Sequence, residues 1–313
     1  MSAHMTAATP ALVVFGSVNQ DVMLQVSEFP EPGQTVTARA VTRATGGKGA
    51  NQAVAAALQG TATRMIGAVG DDAGGTAARA ALQAAGVQTA ELRRCAGAAT
   101  GTAYISVRTD GENTIVVEPG ANAQLSAADP SEESLAGARW ALLSLEVPEA
   151  EAFRFAARAK AYGVQVALNA SPALEGSLPE GLIDVLIVNE VEILDIAGAG
   201  WKQTADLAAA VGVQAVVVTR GGEGVDLFRR GQLPLHQPAE PAQVQDTTGC
   251  GGCVRRGHAG GADPRMQRGG GAGPGEYLRR PRSGAPRRDV RILQGLAPWG
   301  PVSLSGPLSG AWR

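Results

Sequence analysis

Apolar residues recur along the chain in two rhythms. Leu12–Phe15 is a short continuous apolar run, and the mostly apolar stretches Met65–Val69, Ala141–Leu145, Val164–Leu168, Val185–Val188 and Ala215–Thr219 likewise read as buried strands. Stretches of helical period lie between them, at Ala50–Gln59, Thr76–Ala85 and Glu149–Tyr162. Each is followed by a glycine (Gly60, Gly86, Gly163) suited to the left-handed position just past a helix end. Strands that alternate with helices require crossover connections, which predicts an α/β fold with a doubly wound, mostly parallel sheet. The second rhythm is apolar–polar alternation, over Val22–Val26 and Val36–Val41 around Pro30-Glu31-Pro32-Gly33, and over Tyr104–Arg108 and Thr114–Glu118 around Asp110-Gly111. The latter turn is a strong hairpin signal. Four half-exposed strands from two separate places predict a small accessory β-sheet with one wet face.

Composition sharpens this picture. With 313 residues and 44% hydrophobic content the chain can bury a large core, and at 4% aromatic that core must be aliphatic. Cys95, Cys250 and Cys253 have no spacing for a disulfide framework or a zinc site. The first ten residues carry no basic leader, and no run reaches the roughly 18 apolar residues of a membrane helix. A cytoplasmic protein without a membrane partner is expected. Charge is split unevenly: residues 1–252 hold 16 Lys and Arg against 26 Asp and Glu, whereas residues 253–313 hold 11 Arg against three acids. A tail whose basic residues are all Arg, with no interleaved aromatic platform and no helical period, argues against a nucleic-acid arm.

Polar residues gather where the predicted strands end, the edge at which open α/β sheets bind ligands. Asn19 and Asp21 follow the first strand in Gly16-Ser17-Val18-Asn19-Gln20-Asp21, and an Asx turn explains the same letters. Gly46-Gly47-Lys48-Gly49-Ala50-Asn51-Gln52 opens a helix, where glycines admit close backbone approach and the helix N-terminus favours oxygen-rich ligands. Glu146 follows another strand. Asn189-Glu190-Val191-Glu192 reads as a helix cap with its reciprocal acid or as a ligand-binding pair. Thr219-Arg220-Gly221-Gly222-Glu223-Gly224 is a turn. Near the C-terminal quarter, Asp246-Thr247-Thr248-Gly249-Cys250-Gly251-Gly252 has small residues where backbone N–H groups can converge on an anion.

These strings, in this order, resemble the ribokinase-like carbohydrate kinases of the PfkB family over about residues 11–252. GGKGANQ and DTTGCGG carry the resemblance most specifically, the second against the family pattern D-T-x-G-A-G-D. The resemblance implies an ATP-dependent sugar kinase, with lid strands from about 22–42 and 102–119. GSVNQD, LNASP and GENTIVVEPGAN are closest to the branch that phosphorylates the 5-hydroxyl of ribose. Another sugar or nucleoside kinase of the family is the alternative. By resemblance Asn19, Gln20, Asp21, Gly47, Lys48, Gly49, Ala50, Asn51 and Glu146 hold the sugar. Asn189, Thr219, Arg220, Gly221, Gly222, Glu223 and Gly224 hold ATP. Glu192 helps to organise Mg²⁺, and Asp246 and Thr248 supply part of a K⁺ site. The amides of Gly249, Cys250, Gly251 and Gly252 form the anion hole. Lid sheets of the family often pair between subunits, so a homodimer through the lid is expected.

One position departs from the family. Its catalytic aspartate falls on Gly252, which has no group to accept the proton of an attacking hydroxyl. Beyond it the β/α rhythm stops, and residues 253–313 contain 13 Gly, seven Pro and 11 Arg, a composition that offers little apolar surface for a core. Codons for Gly252 to Ala259, read one base later, permit Asp-Ala-Phe-Val-Gly-Gly-Met, which is similar to the family's D-x-F-x-G-x-L. In the same frame Ala285-Pro286-Arg287-Arg288 permits Arg-Pro-Gly-Ala, similar to its late cation-site loop. Two readings follow: a sugar kinase whose tail is out of frame, or a sugar- or nucleotide-binding pseudo-kinase that lost its base.

Overall fold

The computed structural model describes residues 9–239. Its strands in chain order begin with Leu12–Phe15 (β1), Asn19–Val26 (β2), Ala40–Gly46 (β3), Thr63–Gly70 (β4), Leu92–Cys95 (β5), Gly101–Arg108 (β6) and Asn113–Glu118 (β7). Trp140–Ser144 (β8), Gln165–Asn169 (β9), Val185–Asn189 (β10), Ala215–Thr219 (β11), Val225–Arg229 (β12) and Leu235–Gln237 (β13) follow. The helices are Lys48–Leu58 (α1), Ala73–Ala84 (α2), Glu149–Ala161 (α3), Glu190–Ala197 (α4) and Leu207–Val211 (α5).

The large sheet runs β13-β12-β11-β10-β9-β8-β1-β4-β5. It is parallel from β5 to β11, as the β/α rhythm predicts, and only β12 and β13 run antiparallel at one edge. The turn at 220–224 is too short for a crossover, so β12 must fold back on β11. β1 shows how the sheet divides the core. Its side chains alternate faces, so Val13 and Phe15 join one buried cluster while Leu12 and Val14 join the other. The first cluster takes in α3, whose Phe155 stacks on Phe15 at 4.5 Å between ring centroids. The second takes in Ala50 and Ala53 of α1 and Ala78 and Leu82 of α2.

The small sheet has the order β3-β2-β6-β7, with β2 and β6 parallel at its centre. The alternation of Val36–Val41 does not mark its third strand: pairing starts at Ala40, opposite Gln25, and runs to Gly46, opposite Asn19. β2 ends at Val26, and after Arg39 N, which donates to Gln25 O at 2.7 Å, residues 36–38 lie beyond the end of that strand. Helix α2 begins at Ala73, earlier than Thr76, because the Asp72 side chain caps it by accepting from Gly75 N at 2.7 Å.

Candidate active site

β1, β8, β10 and β11 are parallel, so their C-terminal ends open on one edge of the large sheet. At that edge Glu146 gathers three groups. Ser17 Oγ donates to its Oε2 at 2.6 Å, the Lys48 backbone N donates to the same oxygen at 3.0 Å, and Lys48 Nζ lies 3.5 Å from Oε1. Ser17 also accepts at its carbonyl from Ala50 N at 2.9 Å, which pins the first turn of α1 onto the end of β1. The glycines flanking Lys48 have separate reasons. Gly47 sits at φ +88, and a Cβ on Gly49 would stand 2.8 Å from the backbone N and O of Ser17. The glycine-rich turn thus serves close packing of α1 on β1 and leaves the Lys48 amine at the mouth. Ala50 is buried in that contact and Asn51 is half-buried one residue further along.

Asn19 and Asp21 project from the same face of β2, and Gln20 from the other, where its amide approaches Gly74 of α2. Of the predicted sugar-binding residues, Gln20 is therefore turned away from the cluster, and the Ala50 side chain belongs to the core. A side chain at Gly46, opposite Asn19, would run into the Asp21 carboxylate. Two further residues belong to this end of the molecule. Ser17 lies inside the GSVNQD string but carries no charge to single it out. Asn122 sits in a short 3-10 turn, Gly120–Gln124, about a hundred residues from its partners, so no local pattern signals it. Its Nδ2 donates to Asn19 Oδ1 at 2.7 Å.

The other candidate residues cluster at the ends of β10 and β11, where Asn189 and Thr219 stand opposite each other in register. Asn189 caps α4: its Oδ1 accepts from Val191 N at 2.9 Å and Glu192 N at 2.8 Å, and Glu192 Oε2 accepts from Asn189 N at 2.8 Å. This is the capping reading of N-x-x-E, and it leaves Glu192 Oε1 without a protein partner among the described residues. Arg220 is held by three carboxylates, with Nε 3.2 Å from Glu190, Nη1 3.4 Å from Asp226, and an ion pair to Glu223. Hydrogen bonding to Glu190 keeps Arg220 firmly charged, and Lys202 and then Arg220 hold the Glu190 carboxyl below its usual range. Gly221 (φ +52) and Gly224 (φ +109) shape the turn between β11 and β12. Asp246, Thr248, Gly249, Cys250, Gly251 and Gly252 lie outside the described residues.

Three strand spacings of about 4.8 Å separate β1 from β10 along the sheet edge, roughly 14 Å in total. The sugar-like and turn-like ends therefore lie on one continuous edge. Residues 9–255 match the family model described as pfkB family carbohydrate kinase. The chain belongs to that family. It is 36% identical to ribokinase of Haemophilus influenzae over 250 residues, covering 77% of this chain and 81% of the relative. It is 32% identical to ribokinase of Staphylococcus aureus over 255 residues, covering 78% and 83%. The structure of Arabidopsis thaliana ribokinase complexed with ribose and ATP superposes with a TM-score of 0.68 at 33% identity, covering 78% of this chain and 83% of that one. The protein is a sugar kinase by family, built on the mixed α/β fold with large and small sheets that its sequence predicts.

Proposed function

We propose that this family member acts on ribose, transferring the γ-phosphoryl group of ATP to the 5-hydroxyl. The observation that carries the reading is that β3, paired with β2 opposite Asn19 and Asp21, runs directly into the Gly47-Lys48 turn, where Lys48 pairs with Glu146. Carboxylates that accept from hydroxyls, beside an amide and an ammonium that donate to them, suit a polyhydroxylated ligand. The ribokinase relatives support ribose over a nucleoside. Asn189, Thr219 and the 221–224 turn take ATP along the same edge. Glu192 has one carboxylate oxygen without a partner among the described residues, which suits contact to Mg²⁺ through water; Mg²⁺ would supply charge neutralisation on the transferring phosphates. K⁺ is assigned to Asp246 and Thr248 and the anion hole to Gly249, Cys250 and Gly251. No described helix is long and apolar enough to cross a membrane, and cysteine usage favours the cytoplasm. A second copy pairs through the outer face of the small sheet.

In this reading the sugar site is intact, and the proton acceptor is what the chain lacks, at Gly252. The family match ends at residue 255, three residues past that position, which supports a change of reading frame there over a single substitution. Coupled ADP release with ribose, ATP, Mg²⁺ and K⁺ tests both. The chain as it stands and Gly252→Asp should show no measurable turnover, because general-base effects of about 10²–10⁴-fold add to a site whose positioning groups are missing. Removal of one base in codon 252 should yield substantial activity. Strong rescue by Gly252→Asp alone would refute the frame reading and make the Arg-rich tail part of the protein. A corrected enzyme that phosphorylates another sugar but not ribose would sink the substrate assignment.

A further inference from the structure

We propose that Asn122 is a positioning residue that fixes the orientation of the Asn19 amide, so that Asn19 meets the sugar as a hydrogen-bond donor. The proposal rests on the sugar site assigned above and adds a residue to it. Asn122 is 1% exposed and makes three hydrogen bonds. Its Oδ1 accepts from Val18 N at 2.9 Å, and its Nδ2 donates to Val18 O at 3.2 Å and to Asn19 Oδ1 at 2.7 Å.

Two backbone groups of fixed character decide both side-chain amides. Val18 N–H can only donate, so the Asn122 atom facing it is the oxygen. The other Asn122 atom is then the nitrogen, as its contact with the acceptor-only Val18 carbonyl also requires. The Asn19 atom opposite that nitrogen must be its oxygen. The Asn19 nitrogen is left pointing elsewhere. It donates to no described protein group and is not among the buried side-chain atoms lacking a partner, so it retains access from outside. The packing holds this arrangement closely: a Cβ at Gly101 would collide with Asn122 Nδ2 and lie 2.6 Å from Asn19 Oδ1. Gly101 stands beside Asn19 in the β2–β6 register, so glycine there leaves room for the amide pair.

The consequence is chemical. Asp21, two residues on and on the same face of β2, is acceptor-only as a carboxylate. A donor at Asn19 beside an acceptor at Asp21 receives a sugar hydroxyl that accepts from the one and donates to the other. With the Asn19 amide reversed, two acceptors would compete for the one hydroxyl proton. Asn122 therefore tunes discrimination between sugars that carry this hydroxyl and sugars that lack it.

The test is calorimetric titration of the full chain with ribose, 2-deoxyribose and 3-deoxyribose, on wild type, Asn122→Leu and Asn122→Ala, with melting temperatures in parallel. The expected result is that the affinity ratio between ribose and the deoxy sugar it most outcompetes falls about tenfold in both variants, since a freed amide presents donor and acceptor alike. An equal loss of affinity for all three sugars overturns the proposal, because it is what a purely structural role would give. If the variants do not fold, or if wild type binds no pentose and the ribose reading fails, side-chain amide hydrogen exchange on wild type decides. Protected Asn122 protons beside fast-exchanging Asn19 protons support the proposal, and the reverse pattern overturns it.

Discussion

Asp72 ties the start of α2 to the residue before β6, and its removal has a calculable cost. Its Oδ1 accepts from Gly75 N at 2.7 Å and from Thr100 Oγ1 at 2.6 Å, and its Oδ2 accepts from Thr100 N at 2.7 Å. Thr100 is 3% exposed and immediately precedes β6, and its hydroxyl in turn accepts from Gly70 N at 3.0 Å. Asp72→Ala removes a helix cap worth about 1 kcal/mol. It also strands the buried Thr100 N–H at a cost of about 1–3 kcal/mol, for a total near 3 kcal/mol. For a domain of this size that is a drop of roughly 6–12 °C in melting temperature. Asp72→Asn should rescue little, because in either orientation its nitrogen would confront a backbone donor, Thr100 N–H or Gly75 N–H. The pH dependence has a definite sign. Burial pushes the Asp72 carboxyl up, but the donors of Thr100 and Gly75 outweigh it and hold the folded value below the ordinary one. Its stabilisation is therefore complete above the unfolded pKa of about 3.9 and fades only as pH falls through the lower folded value. Differential scanning fluorimetry from pH 8 to pH 3 should show a constant gap between Asp72→Ala and wild type that closes only at the acid end. A gap below about 2 °C at pH 7, or one already closing above pH 5, would refute the account.

Two other outcomes follow from the same structure. Ser17→Ala removes the buried hydroxyl that holds Glu146 Oε2 and should weaken ribose binding about tenfold in calorimetry, since one hydrogen bond to a charged group is lost while the Lys48 N–H still holds that oxygen. Val116→Glu should convert a dimer to a monomer in sedimentation equilibrium. Ile115, Val116 and Val117 are exposed in succession, so both faces of the edge strand β7 are uncovered, and a charge there opposes pairing with a second copy; an unchanged mass would remove the lid from the interface.

The buried parallel strands were the most legible part of the fold, because both of their faces are covered and their letters are mostly apolar. β1 and β11 fall where the pattern places them. The helices were legible at their ends: Gly60, Gly86 and Gly163 all adopt positive φ. What escaped was set by pairing more than by pattern. β5, with the letters Leu-Arg-Arg-Cys, is a strand because β4 offers it an edge, and β3 begins at Ala40 because β2 ends at Val26. The candidate site divides in the same way. Lys48 and Glu146 are charged and stand at element ends, so they announce themselves. Asn122 is an uncharged amide in a turn, and it matters only through a contact spanning 103 residues.

The geometry also implies that binding and turnover are separable in this chain. Every group assigned to the sugar precedes residue 147, and the supports of those groups are internal to it: Ser17 holds Glu146, Gly49 packs on Ser17, and Asn122 holds Asn19. The nucleotide end is differently built. Asn189 and Glu192 satisfy each other as a helix cap, and Arg220 is saturated by three carboxylates, so neither needs a ligand to be stable. The proposed reaction assigns the phosphoryl path to residues 246–252, where the family's acid is replaced by Gly252. Phosphoryl transfer draws its rate from positioning and charge stabilisation along that path more than from affinity for the acceptor. A lesion confined there should abolish turnover and leave ribose affinity and the selectivity set by Asn19 nearly untouched, whereas a lesion at Asn122 should do the opposite to an enzyme whose frame has been restored.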